Sequence, residues 1–222
     1  MKLSPLVLLS ILCSLATGYA QATDPSATFN ENLTFDDNLV PPGWAITYPY
    51  GGPGRNAHVA NQRFEIGAVD TYAALEKNKR LPSGFSQVHI SFKCDVKDVN
   101  PGMGYHIHLV MRDGTDFYAG FGKVGFGMKE LSFYAGHYDS TEFYQTYTPQ
   151  YGTYILDATF GNDQIVLTAT RVKNGKVFAS ATVPVAGLDA GELRIVRLLG
   201  VMTTGHDSSP AWIDDALIEA LP

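Results

Sequence analysis

The chain has 222 residues and a formal net charge of −6, a balance that argues against nucleic acid or an anionic membrane surface as partner. Its 12 tyrosines, 12 phenylalanines and 22 glycines combine strand-forming rings with turn residues, the blend of an all-β protein. Past the N-terminus no apolar stretch approaches the roughly 20 residues that span a bilayer, so no membrane span is expected.

In chain order, residues 1–22 read as a secretory signal peptide. Lys2 gives the positive start, Leu6 to Leu15 the apolar run, and Ala20-Gln21-Ala22 the small-x-small cleavage site. The expected location is therefore extracellular or periplasmic. About 200 residues remain, enough for one domain with a full core. A single cysteine, Cys94, also remains, so no internal disulfide holds the domain. Residues 23–32 are expected as a flexible leader and residues 33–222 as one domain, with a glycosylation sequon at Asn32-Leu33-Thr34.

After Phe35-Asp36-Asp37-Asn38, a Pro-Pro-Gly turn and Trp44, strand-like runs follow at 57–66, 87–96, 105–112, 116–121 and 131–136. Further runs lie at 151–160, 164–172, 176–183, 193–202 and 211–219. Turn residues separate them at Pro82-Ser83-Gly84, Asn100-Pro101-Gly102, Asp113-Gly114, Gly161-Asn162-Asp163, Asn174-Gly175 and Ala190-Gly191. In Gln87 to Val96 every second residue is apolar, so Val88, Ile90, Phe92 and Cys94 point to the core while His89 faces water. Short strands at this spacing make a sandwich or jelly roll.

Gly104 to Arg112 is the stretch that points to function. As a strand it sends Tyr105, Ile107, Leu109 and Met111 to one face and His106, His108, Val110 and Arg112 to the other. Two imidazoles and a guanidinium in a row would floor a ligand groove. Tyr118, Tyr134, His137 and Tyr138 follow in an aromatic-rich segment, and sugars stack on such rings. Trp44, Tyr48, Tyr50, Tyr144 and Tyr147 are eligible for the same role. Gly120 to Gly125 matches G-x-G-x-x-G, but no helix follows it and no βαβ unit contains it. Its glycines instead thin one face of a strand.

Phe35-Asp36-Asp37 with Gly43-Trp44, Leu81-Pro82-Ser83-Gly84-Phe85 before an alternating strand, and the closing Ala211-Trp212-Ile213-Asp214-Asp215-Ala216-Leu217-Ile218 resemble the concanavalin A-like lectin/glucanase superfamily. More narrowly they are similar to secreted bacterial modules with a laminin-G-like jelly roll. The resemblance implies an all-β jelly-roll β-sandwich of two antiparallel sheets, and a partner that is a glycan or polysaccharide. The superfamily hosts lectins, hydrolases, lyases and adhesion modules alike.

Its glucanases carry a Glu-x-Asp-x-x-Glu strand, which is absent here, so the paired carboxyls of retaining chemistry are missing. His106-Ile107-His108 resembles the Gln-Ile-His strand of jelly-roll alginate lyases, and Ser132 to Tyr138 resembles their Tyr-Phe-Lys-Ala-Gly-x-Tyr-x-Gln strand. That implies His108 as base, Tyr138 as acid and Arg112 as the partner of a uronate carboxylate. Tyr134 stands where that strand has lysine, and the early Arg-x-Glu-x-Arg strand is absent. His106 and His108 with His137 or Asp113 form a cupin-like metal alternative, although the downstream cupin motif is missing. If the first and last strands are neighbours, Asp36, Asp37, Asp214 and Asp215 would converge as oxygen ligands of a structural calcium ion. The expected function is a lectin-like carbohydrate-binding module using His106, His108, Arg112, Tyr118, Tyr134, His137 and Tyr138. A polyuronate lyase and an extracellular adhesion module are the alternatives.

Overall fold

A computed structural model describes residues 29–50, 56–67, 71–77, 85–97, 102–123, 130–203 and 210–221. The expected signal peptide, the turn at Pro82-Ser83-Gly84, Asn100-Pro101 and Gly125 lie outside these residues. Apart from one 3-10 turn at Ala190–Glu192, the ordered elements are strands arranged in two antiparallel sheets.

The back sheet begins with β1 (Phe29–Leu33), which lies partly within the stretch expected as a leader. It pairs with the far end of β15 (Ala211–Leu221), Phe29 opposite Ala220. The other back-sheet strands are β3 (Ala57–Ala60), β4 (Arg63–Ile66), β6 (Gln87–Val96), β11 (Gly152–Gly161), β12 (Gln164–Arg171) and β13 (Lys176–Pro184). Their spatial order is β13-β12-β11-β6-β15-β4-β3. The single run expected at 57–66 is thus a tight hairpin. Asn61 and Gln62 turn it with φ of 51° and 59°, the left-handed pair of a two-residue turn.

The front sheet contains β2 (Trp44–Thr47), β5 (Thr71–Lys77), β7 (Gly102–Met111), β8 (Asp116–Gly122), β9 (Leu131–His137), β10 (Ser140–Tyr147) and β14 (Leu193–Thr203). Their order is β10-β9-β8-β7-β14-β5-β2, which puts β7 at the centre.

Alternation fixes which face of each strand is dry. Val88, Ile90, Phe92 and Cys94 of β6 and Tyr105, Ile107 and Leu109 of β7 are fully buried between the sheets. Phe92 meets Tyr105 edge-on at 6.4 Å, the geometry favoured by aromatic quadrupoles. Burial pushes the Cys94 thiol well above its ordinary pKa, which keeps it protonated and unreactive. The outward residues of the front sheet lie over this core and carry the candidate site.

Candidate functional site

β7 places His106 and His108 on the outer face of the front sheet, one on each of two rows that run across the strands. In the first row the cross-strand partners of His108 are Arg197 on β14 and Tyr118 on β8, with Glu76 of β5 beyond Arg197. In the second row His106 has Leu199 on one side and Gly120 on the other, followed by Tyr134 of β9 and Tyr144 of β10. Gly120 leaves space that the Tyr134 ring fills. Together with Tyr50, Tyr72 and Tyr138 these rows enclose a groove of about 720 Å³.

The rings are held by one another. Tyr134 Oη lies 2.8 Å from His106 Nε2, and their rings meet edge-on. Tyr144 stacks on Tyr134 at 6.2 Å and its hydroxyl is 2.9 Å from Ser132 Oγ. Tyr118 hydrogen-bonds Thr141. Tyr138 and Tyr144 remain more than half exposed.

Charge is kept behind this surface. His108 is 2% exposed and its Nδ1 lies 2.9 Å from Asp116 Oδ1. A carboxylate only accepts, so Nδ1 carries the proton, and in the neutral form of the ring Nε2 is then a bare acceptor. That Nε2 is buried and has no hydrogen-bond partner among the described residues. Asp116 is backed by Arg197 at 3.6 Å, and Arg197 Nε donates to Glu76 at 2.7 Å. Burial, and secondly the neighbouring His108 ring, lower the His106 pKa to about 3, which leaves it neutral. Burial also raises Tyr134 and Tyr50 well above the ordinary tyrosine value. Among the described residues that line the groove, none is Asp, Glu, Lys or Arg.

Of the side chains singled out in the sequence, the structure gathers His106, His108, Tyr118, Tyr134 and Tyr138 around the groove. Arg112 and His137 are elsewhere. The chain leaves the ladder at Met111 and Arg112 pairs with Glu192 at 3.3 Å. His137 has the parity of the inward residues Phe133 and Ala135. It packs on Phe117 at 4.5 Å and bonds Glu142 at 2.7 Å. Tyr72, Ser132, Thr141 and Leu199 line the groove as well; alternation from Tyr134 along β9 could have found Ser132, and the other three needed β5, β10 and β14 to be placed.

The four acids proposed for calcium do not converge, although β1 and β15 are neighbours. Asp37 caps Leu39 N–H, Asp36 is exposed, Asp215 takes Lys93, and Asp214 lies 3.9 Å from Arg63. Among the described residues no group of three or more His, Cys, Asp or Glu is placed to hold a metal. An ammonium and a guanidinium supply the positive charge that a cation would bring, so the donor set does not fit calcium.

This two-sheet architecture has known counterparts. The CBM2 module of Lactobacillus casei BL23 phage J-1 evolved Dit is similar with a TM-score of 0.67 and 13% identity, over 86% of this chain and 96% of that one. Lectin II from Ulex europaeus follows at 0.58 and 10%, over 89% and 100%. A prokaryotic β-1,3-1,4-glucanase (lichenase) derived from a mouse hindgut metagenome gives 0.55 and 12%, over 87% and 99%. The chain has the concanavalin A-like lectin and glucanase fold. The sequence matches no protein-family model and no curated protein. At identities this low the structural likeness shows the fold alone and leaves activity to be argued from the site.

Proposed function

We propose that this protein is a glycan-binding module that holds an uncharged sugar chain in the front-sheet groove. The observation that carries the reading is the set of tyrosine faces around a groove whose lining bears no ionised side chain. Pyranose rings stack their C–H faces on such platforms, while hydroxyls bond the polar edges. An open groove suits the interior of a chain as well as its end. Lectin II from Ulex europaeus and the CBM2 module share the fold and carry names consistent with this use.

A lyase is the second reading, and the His108–Asp116 pair favours it because an oriented imidazole with a bare Nε2 can act as a base. Elimination from a uronate also needs a cation to neutralise the carboxylate. Arg112 lies outside the groove lining with Glu192, and Arg197 is held between Glu76 and Asp116. The binding module is therefore the better fit.

A glycan array probed with the full chain tests both. Binding to neutral glycans is expected, weakened about tenfold in Tyr144→Ala, roughly the worth of one stacking contact. Polyuronates should give no unsaturated product by ultraviolet absorbance. Absence of any glycan binding refutes the module, and turnover abolished by Tyr138→Phe would replace it with the lyase.

A further inference from the structure

The His108 imidazole is oriented, buried and incompletely satisfied. Asp116 fixes its Nδ1 proton, and Tyr50 Oη adds a second contact to Nδ1 at 3.3 Å. No described residue bonds Nε2. A buried acceptor without a partner costs free energy, and folded proteins retain few of them. Four rings surround the imidazole: His106 and Tyr118, each stacked on it at 5.7 Å and fixed on sheet strands, and a second pair carried on turns. Tyr50 and Tyr138 lie parallel, 2° apart with centroids at 5.3 Å, and stand 6.0 and 6.4 Å from the His108 ring. At that spacing the rings touch, so a sugar does not fit between them. Both rings belong to turns, Tyr50 after β2 and Tyr138 between β9 and β10, so the side chains can swing without breaking a ladder. Tyr138 is 54% exposed and Tyr50 37%, so the cover is one layer thick.

We propose that His108 Nε2 is the acceptor that fixes one sugar hydroxyl at the groove floor, and that Tyr50 and Tyr138 form a clasp which the glycan parts to reach it. The inference rests on the glycan reading of the groove and adds the anchor and the order of events. A ligand hydroxyl donates to Nε2 and satisfies the orphaned atom, while the parted rings become stacking platforms. Asp116 is a positioning residue, since its carboxylate keeps the proton on the far nitrogen and the near one bare. Arg197 holds Asp116 in place at 3.6 Å.

Two measurements on the full chain test this separately. In the first, diethyl pyrocarbonate labels accessible neutral imidazoles and mass spectrometry reads each site. His58, whose side chain is 53% exposed, serves as internal reference. His108 should react at least tenfold more slowly than His58 in the wild type. In Tyr138→Ala it should speed up at least tenfold while His58 stays constant. A His108 as reactive as His58 in the wild type, or unmoved by Tyr138→Ala, overturns the clasp. In the second, calorimetry measures binding of cellohexaose, laminarihexaose, xylohexaose and mannohexaose. His108→Phe, which keeps a ring and removes the acceptor, should weaken the best of these at least tenfold. Asp116→Asn should do the same, because an amide can donate to Nδ1 and move the proton to Nε2. Asp116→Asn carries the test if His108→Phe does not fold. Unchanged affinity in a folded variant overturns the anchor. A wild-type chain that binds none of the four overturns the glycan reading and the anchor with it, and the labelling then decides the clasp alone.

Discussion

A Cβ built on Gly120 would lie 2.3 Å from Cε2 of Tyr134, well inside van der Waals contact. The missing methyl lets the Tyr134 ring lie flat across β8 and reach His106. Gly120→Ala should push that ring off its seat, at a cost of roughly 1–3 kcal/mol for overpacking, and lower glycan affinity as well. Thermal unfolding together with calorimetry would show both losses, and a stable variant with intact binding would contradict this account of the groove. His89 is a second residue whose surroundings were not apparent from the sequence. It faces outward on β6, yet it sits 2.9 Å from Asp157 and 2.9 Å from Glu219. Burial alone would lower its pKa, but hydrogen bonds and charge from these two carboxylates outweigh burial and raise it to about 9. A raised folded-state pKa stabilises fully below the unfolded value of 6.5 and is lost as pH rises through about 9. His89→Ala should therefore lower Tm clearly at pH 6 and very little at pH 10.

Among the elements, β6 was the easiest to read, because strict alternation placed Phe92 in the core before any strand had a partner. Phe92 is fully buried opposite Tyr105, and Phe92→Ala should cost roughly 3–5 kcal/mol by denaturant titration. Other elements were hidden for physical reasons. β5 reads Thr-Tyr-Ala-Ala-Leu-Glu-Lys, and residues that favour helices in isolation are overridden here by ladder partners on both sides. β10 is mostly exposed and polar, so it lacks the apolar face that announces a strand. β3 and β4 merged into one run because neither Asn61 nor Gln62 is a glycine. The site was legible where a strand carried it, as at His106, His108, Tyr118 and Tyr134. It was misread at Arg112, where the strand ends one residue too early. His137 was a different failure. Counting parity along β9 from Tyr134 would have turned it inward.

For the molecule as a whole, the order of the sheets was beyond the reach of any local pattern. Alternation tells which face of a strand is dry, but it cannot say that β14 lies between β7 and β5 or that β15 lies beside β6. Those adjacencies create the groove, since Leu199 and Tyr72 join His106 and His108 only through them. The chain of ion pairs from Glu76 through Arg197 to Asp116 has the same origin, three strands far apart in sequence brought into one sheet.

The same adjacencies set a timetable. The centre of the back sheet joins β6 to β15, with Val88 opposite Ala220, and the centre of the front sheet joins β7 to β14, with His108 opposite Arg197. On a ribosome, the ladders that complete the sandwich must wait until residues 193–221 have been made. Until then Val88, Ile90, Phe92, Ile107 and Leu109 have no finished core to enter, and closing such long loops places folding in the slow regime of milliseconds to seconds. Assembly of the sandwich therefore waits for β14 and β15, and until they are made the earlier strands are exposed to pairing with those of neighbouring chains.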